Sequence, residues 1–218
     1  MKMGKKFNLL AIVTLLVVFV FCTLAYGTKR LPDTTPQGLV KQVLDRVMEI
    51  QNDPNLQGHN NRYKRALEIK KVIVQNFDSY AMARKSIGGY WRNVSPGKRK
   101  TFSRVFADLF QDSYTRLVLN FLKKEQIDYL GEEINNGHAI VKTAIVRSND
   151  RIMVDYYLKL QKNRWVIEDV VIDGVSIVGN YSSIFKREIA RNSFDSLLNK
   201  MIIQQKAIKM KLTENKKA

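Results

Sequence analysis

The chain has 218 residues, with 37 Lys and Arg against 20 Asp and Glu, which gives a formal charge of +17. A hydrophobic fraction of 45% is too high for a disordered chain, and the length suits one domain with its own core. One Cys and two His exclude a disulfide scaffold and a Cys-based structural metal site. The positive charge favours an anionic partner, either nucleic acid or a membrane surface.

The N-terminal residues have the pattern of an export signal. Lysines at positions 2, 5 and 6 precede the uncharged apolar segment 7–27, and Ala25 and Gly27 favour cleavage after Gly27. The segment is also long enough to span a bilayer, so an uncleaved anchor is the alternative. Cleavage would remove three of the 37 basic side chains and none of the 20 acidic ones, which lowers the charge to +14. An exported chain without finger or RNA-binding motifs is not expected to bind nucleic acid.

Helical periodicity predicts three helices after the signal. The pair Thr35-Pro36 supplies a cap and a first-turn proline for the first of them. Asp78 is a suitable cap for the third, which Gly88 ends. The predicted helices are 36–50, 62–75 and 79–87, with the polar segment 52–61 as a loop.

The strongest helical pattern begins at Ser95-Pro96. Aromatic and aliphatic side chains recur on one face from Phe102 to Phe121, whereas the opposite face carries charged residues such as Arg104. This helix is therefore expected to pack one face against an apolar interior and to expose the other to water.

From Gln126 the hydrophobic period changes to two, which is typical of strands. The turns between the predicted strands are Asn136-Gly137, 148–150 and Lys162-Asn163, and Gly174 ends the last strand. Helical patterns return at about 181–189 and 194–203, and 206–218 is predicted to be a basic, flexible tail. The sequence thus predicts an α+β fold, in which several helices cover one face of a four-stranded antiparallel meander and enclose an apolar pocket.

One carboxylate interrupts the apolar face of the predicted sheet. The turn at residues 162–163 places Leu160 opposite Trp165, Leu158 opposite Ile167, and Tyr156 opposite Asp169. A buried carboxylate costs several kcal/mol unless it is hydrogen-bonded or paired. Asp169 is therefore either satisfied by Tyr156 or by a helix N-terminus, or turned outward by a bulge. The alternative is an acid/base role, as in cone-shaped, NTF2-like enzymes.

Other catalytic signals are absent from the sequence. There is no glycine-rich phosphate loop, no nucleophile elbow around a serine and no pair of His at metal-binding spacing. His59 lies in a polar loop and His138 follows a hairpin turn, so both are expected to be solvated. No enzyme activity and no metal site are predicted from these residues.

Short motifs occur along the chain in a fixed order. They are Phe77-Asp78, Met82-Ala83, Gly88-Gly89-Tyr90-Trp91, Val94-Ser95-Pro96, Phe102, Phe106, Trp165-Val166, Asp169-Val170, Gly174-Val175-Ser176, Asn180-Tyr181 and Phe185. In this order, and over about Leu39 to Met201, the chain resembles the MlaC-like, or toluene-tolerance, family of periplasmic phospholipid-binding proteins. The residues 28–205 would then form one lipid-binding domain.

The resemblance implies a non-enzymatic carrier in the periplasm that needs no cofactor. Its cargo would be a glycerophospholipid, with the acyl chains held between helices and sheet and the head group left in water. It would exchange lipid with an inner-membrane ABC transporter complex and an outer-membrane lipoprotein complex, and so maintain outer-membrane lipid asymmetry. The basic helix faces would suit transient docking at an anionic membrane surface. An anchored envelope adaptor without ligand is a further alternative.

The side chains expected to line the lipid pocket lie on the long helix, on the inner face of the sheet and after its last strand. They are Tyr114, Leu117, Val118, Phe121, Val141, Thr143, Ile145, Val154, Tyr156, Leu158, Val175, Ile177 and Tyr181. For each of them a plain core position is the alternative, because apolar stripes usually form the core.

Overall fold

The computed structural model describes residues 35–122 and 124–214, except for the side chains of Phe121 and of residues 211–214. The predicted export signal, residues 1–27, lies outside the described residues. The helices are α1 (Pro36–Asn52), α2 (Arg62–Asn76), α3 (Ser79–Ile87), α4 (Pro96–Phe121), α5 (Ile177–Arg191) and α6 (Phe194–Glu214). Two short 3-10 helices, Pro54–Leu56 and Gly88–Asn93, follow α1 and α3.

The sheet lies between α4 and α5 in the chain and confirms the predicted α+β class. Its strands pair antiparallel in sequence order. They are β1 (Gln126–Asn135), β2 (His138–Arg147), β3 (Asp150–Gln161), β4 (Arg164–Ile172) and β5 (Val175–Ser176). The described sheet has five strands and not the four predicted. Asp173 and Gly174 both have positive φ, 47° and 80°, so they turn the chain back along β4 where the sequence analysis ended the sheet.

Two tight turns set the register of the meander as predicted. Asn136 and Gly137 have φ values of 47° and 75°, and Lys162 and Asn163 have 45° and 67°. Positive φ at both central residues is the geometry of a two-residue hairpin turn. The predicted pairs Leu160 with Trp165 and Leu158 with Ile167 are confirmed.

The predicted pairing of Tyr156 with Asp169 is wrong. A β-bulge adds Glu168 between Ile167 and Asp169, so Asp169 lies opposite Tyr157 and Val170 lies opposite Tyr156. The extra residue reverses the side of the sheet to which every later residue of β4 points. Val170, which is fully buried, therefore takes the inward position that the sequence analysis gave to Asp169.

An aromatic row along α4 forms the centre of the core. Phe102, Phe106, Phe110 and Tyr114 recur every fourth residue and so share one helix face. The rings of Phe106 and Phe110 stack with centroids 6.2 Å apart, and those of Phe110 and Tyr114 with centroids 5.6 Å apart. Phe185 of α5 packs edge-on against Phe102 at 5.9 Å, which joins the C-terminal helices to this row.

The Phe77-Asp78 motif attaches the helical layer to the edge of the sheet. Phe77 forms a parallel bridge with Ile167 of β4, and its ring contacts Tyr114 with centroids 5.4 Å apart. The amide of Asp78 donates to the Ile167 carbonyl at 2.8 Å, and its carboxylate accepts from the Ala81 amide at 2.9 Å. Asp78 is thus the predicted N-cap of α3, and it fixes that helix beside β4.

The last helix is longer than predicted. The periodic pattern suggested an end near residue 203, whereas α6 continues to Glu214. Asp108 of α4 accepts hydrogen bonds from both Gln205 and Lys209, and these contacts hold the additional turns where an apolar stripe is lacking. Within the described ranges 35–122 and 124–214, none of the helices combines the length and hydropathy that a bilayer crossing requires.

Candidate functional site

The inner face of the sheet changes from buried to partly exposed along its strands. Val141 of β2 and Tyr156 of β3 lie side by side and are buried, at 0% and 4% exposure. Two rows nearer the start of β1, the inward residues form a cross-strand row of isoleucines that are only partly buried. These are Ile127, Ile145 and Ile152. The interior between helices and sheet therefore approaches the surface at this end.

Apolar side chains of α4 and β5 are also exposed at this end. Leu117 of α4 is 37% exposed, and Val175 of β5 is 61% exposed. Leu119, also of α4, shares a surface cleft with Val146 at the end of β2, which locates the end of α4 over this end of the sheet. We call this region the mouth. It comprises Leu117, Ile127, Ile145, Ile152, Val175, Ile177 and Tyr181.

The residues predicted to line a pocket occupy three environments. The buried ones are Val118, Val141, Thr143, Val154, Tyr156 and Leu158. The partly buried ones are Tyr114, Ile145, Ile177 and Tyr181. Leu117 and Val175 are exposed, and the side chain of Phe121 lies outside the described part. The structure brings most of this set together between the layers, and its contact with a ligand stays a prediction.

Ile127 and Ile152 belong to the mouth but were not among the predicted lining residues. Strand alternation already indicates that both point inward, and in the register they flank Ile145, which was predicted. Their partial exposure could not be inferred from alternation, because it depends on how far the helices extend over the sheet. The strand register that the hairpin turns imply is the sequence signal that could have added Ile127 and Ile152 to the predicted lining residues.

A pair of tyrosine hydroxyls connects the two layers. Tyr114 of α4 and Tyr156 of β3 share a side-chain hydrogen bond inside the apolar interior. Burial raises the pKa of both phenols, since the phenolate form would lose its hydration. Both groups are therefore neutral at physiological pH, and α4 and β3 are in direct contact at this point.

Polar groups of α4 and α5 meet at the edge of the mouth. The hydroxyl of Tyr181 is hydrogen-bonded to that of Ser113, one helix turn before the exposed Leu117. Burial raises the pKa of Tyr181, while the Ser113 hydrogen bond and the positive charge of Arg116 act in the opposite direction. Ser113, Arg116 and Tyr181 thus form a small polar group beside apolar side chains.

Asp169 caps the N-terminus of α5. Its carboxylate accepts from the amides of Val170 at 2.8 Å and Val178 at 3.1 Å, and from the hydroxyl of Ser176. The Ser176 hydroxyl in turn accepts from the amide of Gly179 at 2.8 Å. A negative charge at a helix N-terminus is favourable, so this carboxylate is satisfied by local donors.

Two open clefts lie next to α1, outside the mouth. The larger, of about 1210 Å³, is lined by the ends of α1 and α4 and the adjoining ends of β1 and β2, and the smaller, of about 450 Å³, lies between α1 and α2. In the larger cleft the Gln51 amide donates to the carbonyls of Val118 and Leu122, and so caps the end of α4. Neither cleft is lined by a residue that the sequence analysis assigned to lipid.

Both histidines are exposed and lie in different parts of the fold. The side chain of His138 is 57% exposed and its Nδ1 lies 3.6 Å from the Glu168 carboxylate, while His59 is exposed in the loop before α2. Among the residues that the structure describes, no group of three or more His, Cys, Asp or Glu could hold a metal ion.

Comparison with protein families gives a match to the MlaC protein family over residues 41–202. The chain belongs to the MlaC family. The match runs from α1 into α6, and so contains the whole sheet and the mouth. It confirms the resemblance that the ordered motifs indicate.

Two known proteins are similar to this chain over most of its length. The intermembrane phospholipid transport system binding protein MlaC of Haemophilus influenzae is 23% identical over an alignment of 196 residues, and the alignment covers 85% of this chain and 89% of that protein. A phospholipid-binding protein from Ralstonia solanacearum, solved in complex with a phospholipid, superposes with a TM-score of 0.68. The alignment covers 80% of this chain and 98% of the other at 19% identity, a level at which the likeness shows the fold.

Proposed function

We propose that this MlaC-family protein is a periplasmic carrier that holds the acyl chains of a phospholipid between its helices and its sheet. The observation that carries the proposal is the apolar interior that reaches the surface at the mouth, where Leu117 and Val175 are exposed and the isoleucine row is half-covered. Exposed apolar groups around an opening are typical of a ligand entrance. The names of the two related proteins agree with this cargo.

A carrier of this kind needs a large apolar surface, because exposure of acyl chains to water is costly. A two-chain lipid has on the order of 30 methylenes, and at about 0.8 kcal/mol each its tails gain about 24 kcal/mol on leaving water. A carrier must offer apolar surface of similar extent. The inner sheet face and the aromatic row of α4 are the surfaces that would supply it, and the chains would enter at the mouth and displace the contact between Tyr114 and Tyr156.

The partners and compartment follow from the same proposal. The carrier would receive lipid from one membrane complex and deliver it to another, an inner-membrane ABC transporter complex and an outer-membrane lipoprotein complex, and so maintain outer-membrane lipid asymmetry. Residues 1–27 would direct export, and 28–205 would form the lipid-binding domain. An enzyme based on Asp169 is not favoured, because its carboxylate caps α5 and lies opposite Tyr157, away from the interior.

Native mass spectrometry of the protein purified from the periplasm, followed by organic extraction, tests the carrier function. We expect a bound species with the mass of a phospholipid. A lipid-free protein that takes up no lipid from vesicles would contradict the proposal, and a retained N-terminal segment together with no lipid would favour an anchored adaptor instead.

A tryptophan placed in the interior distinguishes a lipid-binding position from a packed core position. Thr143 and Val154 are neighbours on β2 and β3 and are 1% and 3% exposed. We expect Thr143→Trp or Val154→Trp to reduce the lipid that copurifies while the protein stays folded, because the larger ring occupies space that the acyl chains need. Met153→Trp, on the opposite face of the sheet and 39% exposed, is the matched control. Unfolding of the interior variants, at an overpacking cost of about 1–3 kcal/mol, would instead indicate a filled core.

A further inference from the structure

Arg116 lies near the end of α4, Arg147 and Arg151 lie beside the turn between β2 and β3, and the three arginines differ in their partners. Arg147 lies 3.6 Å from the carboxylate of Glu125, and Arg151 lies 3.2 Å from that of Asp128. Arg116 of α4 is exposed, and no carboxylate within the described part of the chain lies at ion-pair distance from it. Of these three arginines, Arg116 is therefore the one that could bind an external anion without breaking an ion pair.

Two hydroxyl groups accompany Arg116. Ser113 lies one turn before it on α4, and Tyr181 of α5, whose ring centroid is 5.2 Å from that of Phe106 on α4, places its hydroxyl near that of Ser113. Leu117, which is exposed, lies four residues after Ser113 and so shares its side of α4, which places an apolar side chain on the helix face that carries the hydroxyl. A guanidinium with nearby hydroxyl donors suits the oxygens of a phosphate, and an adjoining apolar surface suits the chains attached to it.

Two other anion-binding features near the mouth are already occupied. The N-terminus of α5, with its free amides, would attract a phosphate, but the Asp169 carboxylate holds that position through Ser176 and Val178. In the larger cleft, Arg65 donates to the carbonyl of Leu56 at the end of the first 3-10 helix. A phosphate at either place would meet a fixed carboxylate or compete with carbonyl groups.

We propose that Arg116, assisted by the hydroxyls of Ser113 and Tyr181, binds the phosphate of a phospholipid at the mouth while the acyl chains pass beside Leu117. This inference rests on the proposed carrier function. Arg116 then selects for a phosphate-bearing lipid, whereas the apolar interior recognises the chains alone. The site lies at the edge between water and the interior, where the glycerol backbone of a lipid with buried chains would emerge.

The test compares a phospholipid with a lipid that lacks the phosphate. The full mature chain and its Arg116→Gln variant are loaded from vesicles that contain labelled phosphatidylglycerol or labelled diacylglycerol with the same acyl chains. We expect Arg116→Gln to lower phosphatidylglycerol uptake about tenfold, in line with one charge-assisted contact, and to leave diacylglycerol uptake unchanged. Arg116→Lys should restore part of the phosphatidylglycerol uptake because it keeps the charge.

Arg151→Gln is the matched control, because it removes the same charge from an arginine that has a carboxylate partner at the same end of the sheet. It should lower phosphatidylglycerol uptake less than twofold. Unchanged phosphatidylglycerol uptake by Arg116→Gln, an equal loss in both arginine variants, or an equal loss of both lipids would overturn the proposal.

Two further results are informative. One distinguishes a lipid phosphate from a free phosphate ester, and the other distinguishes a failure of the Arg116 site from a failure of the carrier function. Soluble glycerol phosphate should not compete with phosphatidylglycerol at millimolar concentration, and competition that depends on Arg116 would mean a site for free phosphate esters and would overturn the assignment to lipid. Uptake of neither lipid by the wild-type chain would reject the carrier function itself, whereas normal uptake with no effect of Arg116→Gln would reject this inference alone.

Discussion

The β-bulge at Glu168 determines the position of the Asp169 carboxylate. In a regular ladder its carboxylate would point into the apolar interior, but the extra residue Glu168 moves it to the N-terminus of α5. There it joins β4 to the following helix through the amide of Val178 and the hydroxyl of Ser176. The residue is therefore expected to contribute to stability and not to ligand binding.

We expect Asp169→Asn to lower the free energy of unfolding by about 1–2 kcal/mol, the usual cost of a weakened helix cap. Lipid content should not change, because the carboxylate lies outside the interior. Urea unfolding followed by fluorescence measures the first effect, and extraction of copurified lipid measures the second. Asp155→Asn, a substitution on the outer face of β3, is the control and should be nearly neutral. Loss of lipid at unchanged stability would contradict the structural role.

The buried phenols predict a specific response to alkaline pH. Burial raises the pKa of Tyr114 and Tyr156 in the folded state, while in the unfolded chain each phenol titrates near its ordinary value of about 10. Above that pH the unfolded chain releases protons that the folded chain retains, so the free energy of unfolding should fall by up to about 1.4 kcal/mol per pH unit for each phenol. Below pH 10 these two groups make no pH-dependent contribution.

Chemical unfolding between pH 8 and 11 measures this slope. A double variant, Tyr114→Phe with Tyr156→Phe, should show a shallower fall above pH 10, because it removes both groups and leaves neither hydroxyl unpaired. Tyr157→Phe, which removes a hydroxyl from the outer face of β3, should keep the wild-type slope. A double variant with the wild-type slope would show that other groups cause the fall.

The residues of the hairpin turns explain why the strands of the sheet were largely predictable. Three of the four hairpin turns use two residues with positive φ, and in two of these, Asn136-Gly137 and Asp173-Gly174, Gly is the second residue. Gly adopts this conformation without steric cost, so these dipeptides are strong local signals. The turn Asp173-Gly174 instead resembles the end of the sheet in the sequence, since β5 has only the residues Val175–Ser176 and shows no alternation of its own.

The turn between β3 and β4 offers a stability gain. Lys162 adopts φ 45° and Asn163 adopts φ 67°, and a lysine is strained in this region whereas Asn and Gly are not. We expect the double change Lys162→Asn with Asn163→Gly to raise the free energy of unfolding by about 0.5–1 kcal/mol. Thermal unfolding checks the prediction. Gly137→Ala, at φ 75° in the first hairpin, should have the opposite effect, and a gain in that variant would show that these φ values do not govern stability.

Other element boundaries could not be read from the sequence, because they depend on contacts between distant segments. The last turns of α6 depend on Asp108, about 100 positions earlier in the chain, and show no apolar stripe of their own. The bulge at Glu168 fits its environment through Lys85, whose Nζ lies 2.7 Å from the Glu168 carboxylate. Periodicity reports which face of an element is apolar, but it contains no information about such tertiary partners.

For the whole molecule, the sequence predicted which residues face the interior better than it predicted where the interior opens. Inward residues of β2 and β3 such as Thr143 and Val154 are buried as alternation indicates. The exposure of Leu117 and the half-burial of Ile145 depend instead on where α4 and α5 end over the sheet. The candidate mouth is thus a property of the assembled layers and not of any one segment.

The distribution of charge over the surface predicts how the proposed carrier would bind to a membrane. Some of the basic side chains have carboxylate partners, for example Lys70 with Asp112 at 2.6 Å and Lys98 with Asp195 at 2.6 Å. Others, including Lys100 and Arg104, have none among the described residues, and the mature chain would keep a charge of +14 after loss of the three lysines of the signal. This excess should attract the protein to anionic lipid without a fixed contact.

We therefore expect cosedimentation of the mature protein with phosphatidylglycerol vesicles at an ionic strength of about 0.01 M, where charges act over about 30 Å. Raising the salt to about 0.15 M shortens this range to about 8 Å and should release most of the protein. Phosphatidylcholine vesicles, which carry no net charge, should bind little at either salt concentration. Binding that resists salt, or that is equal for the two lipids, would mean that apolar contacts at the mouth hold the protein on the membrane and that the basic surface does not.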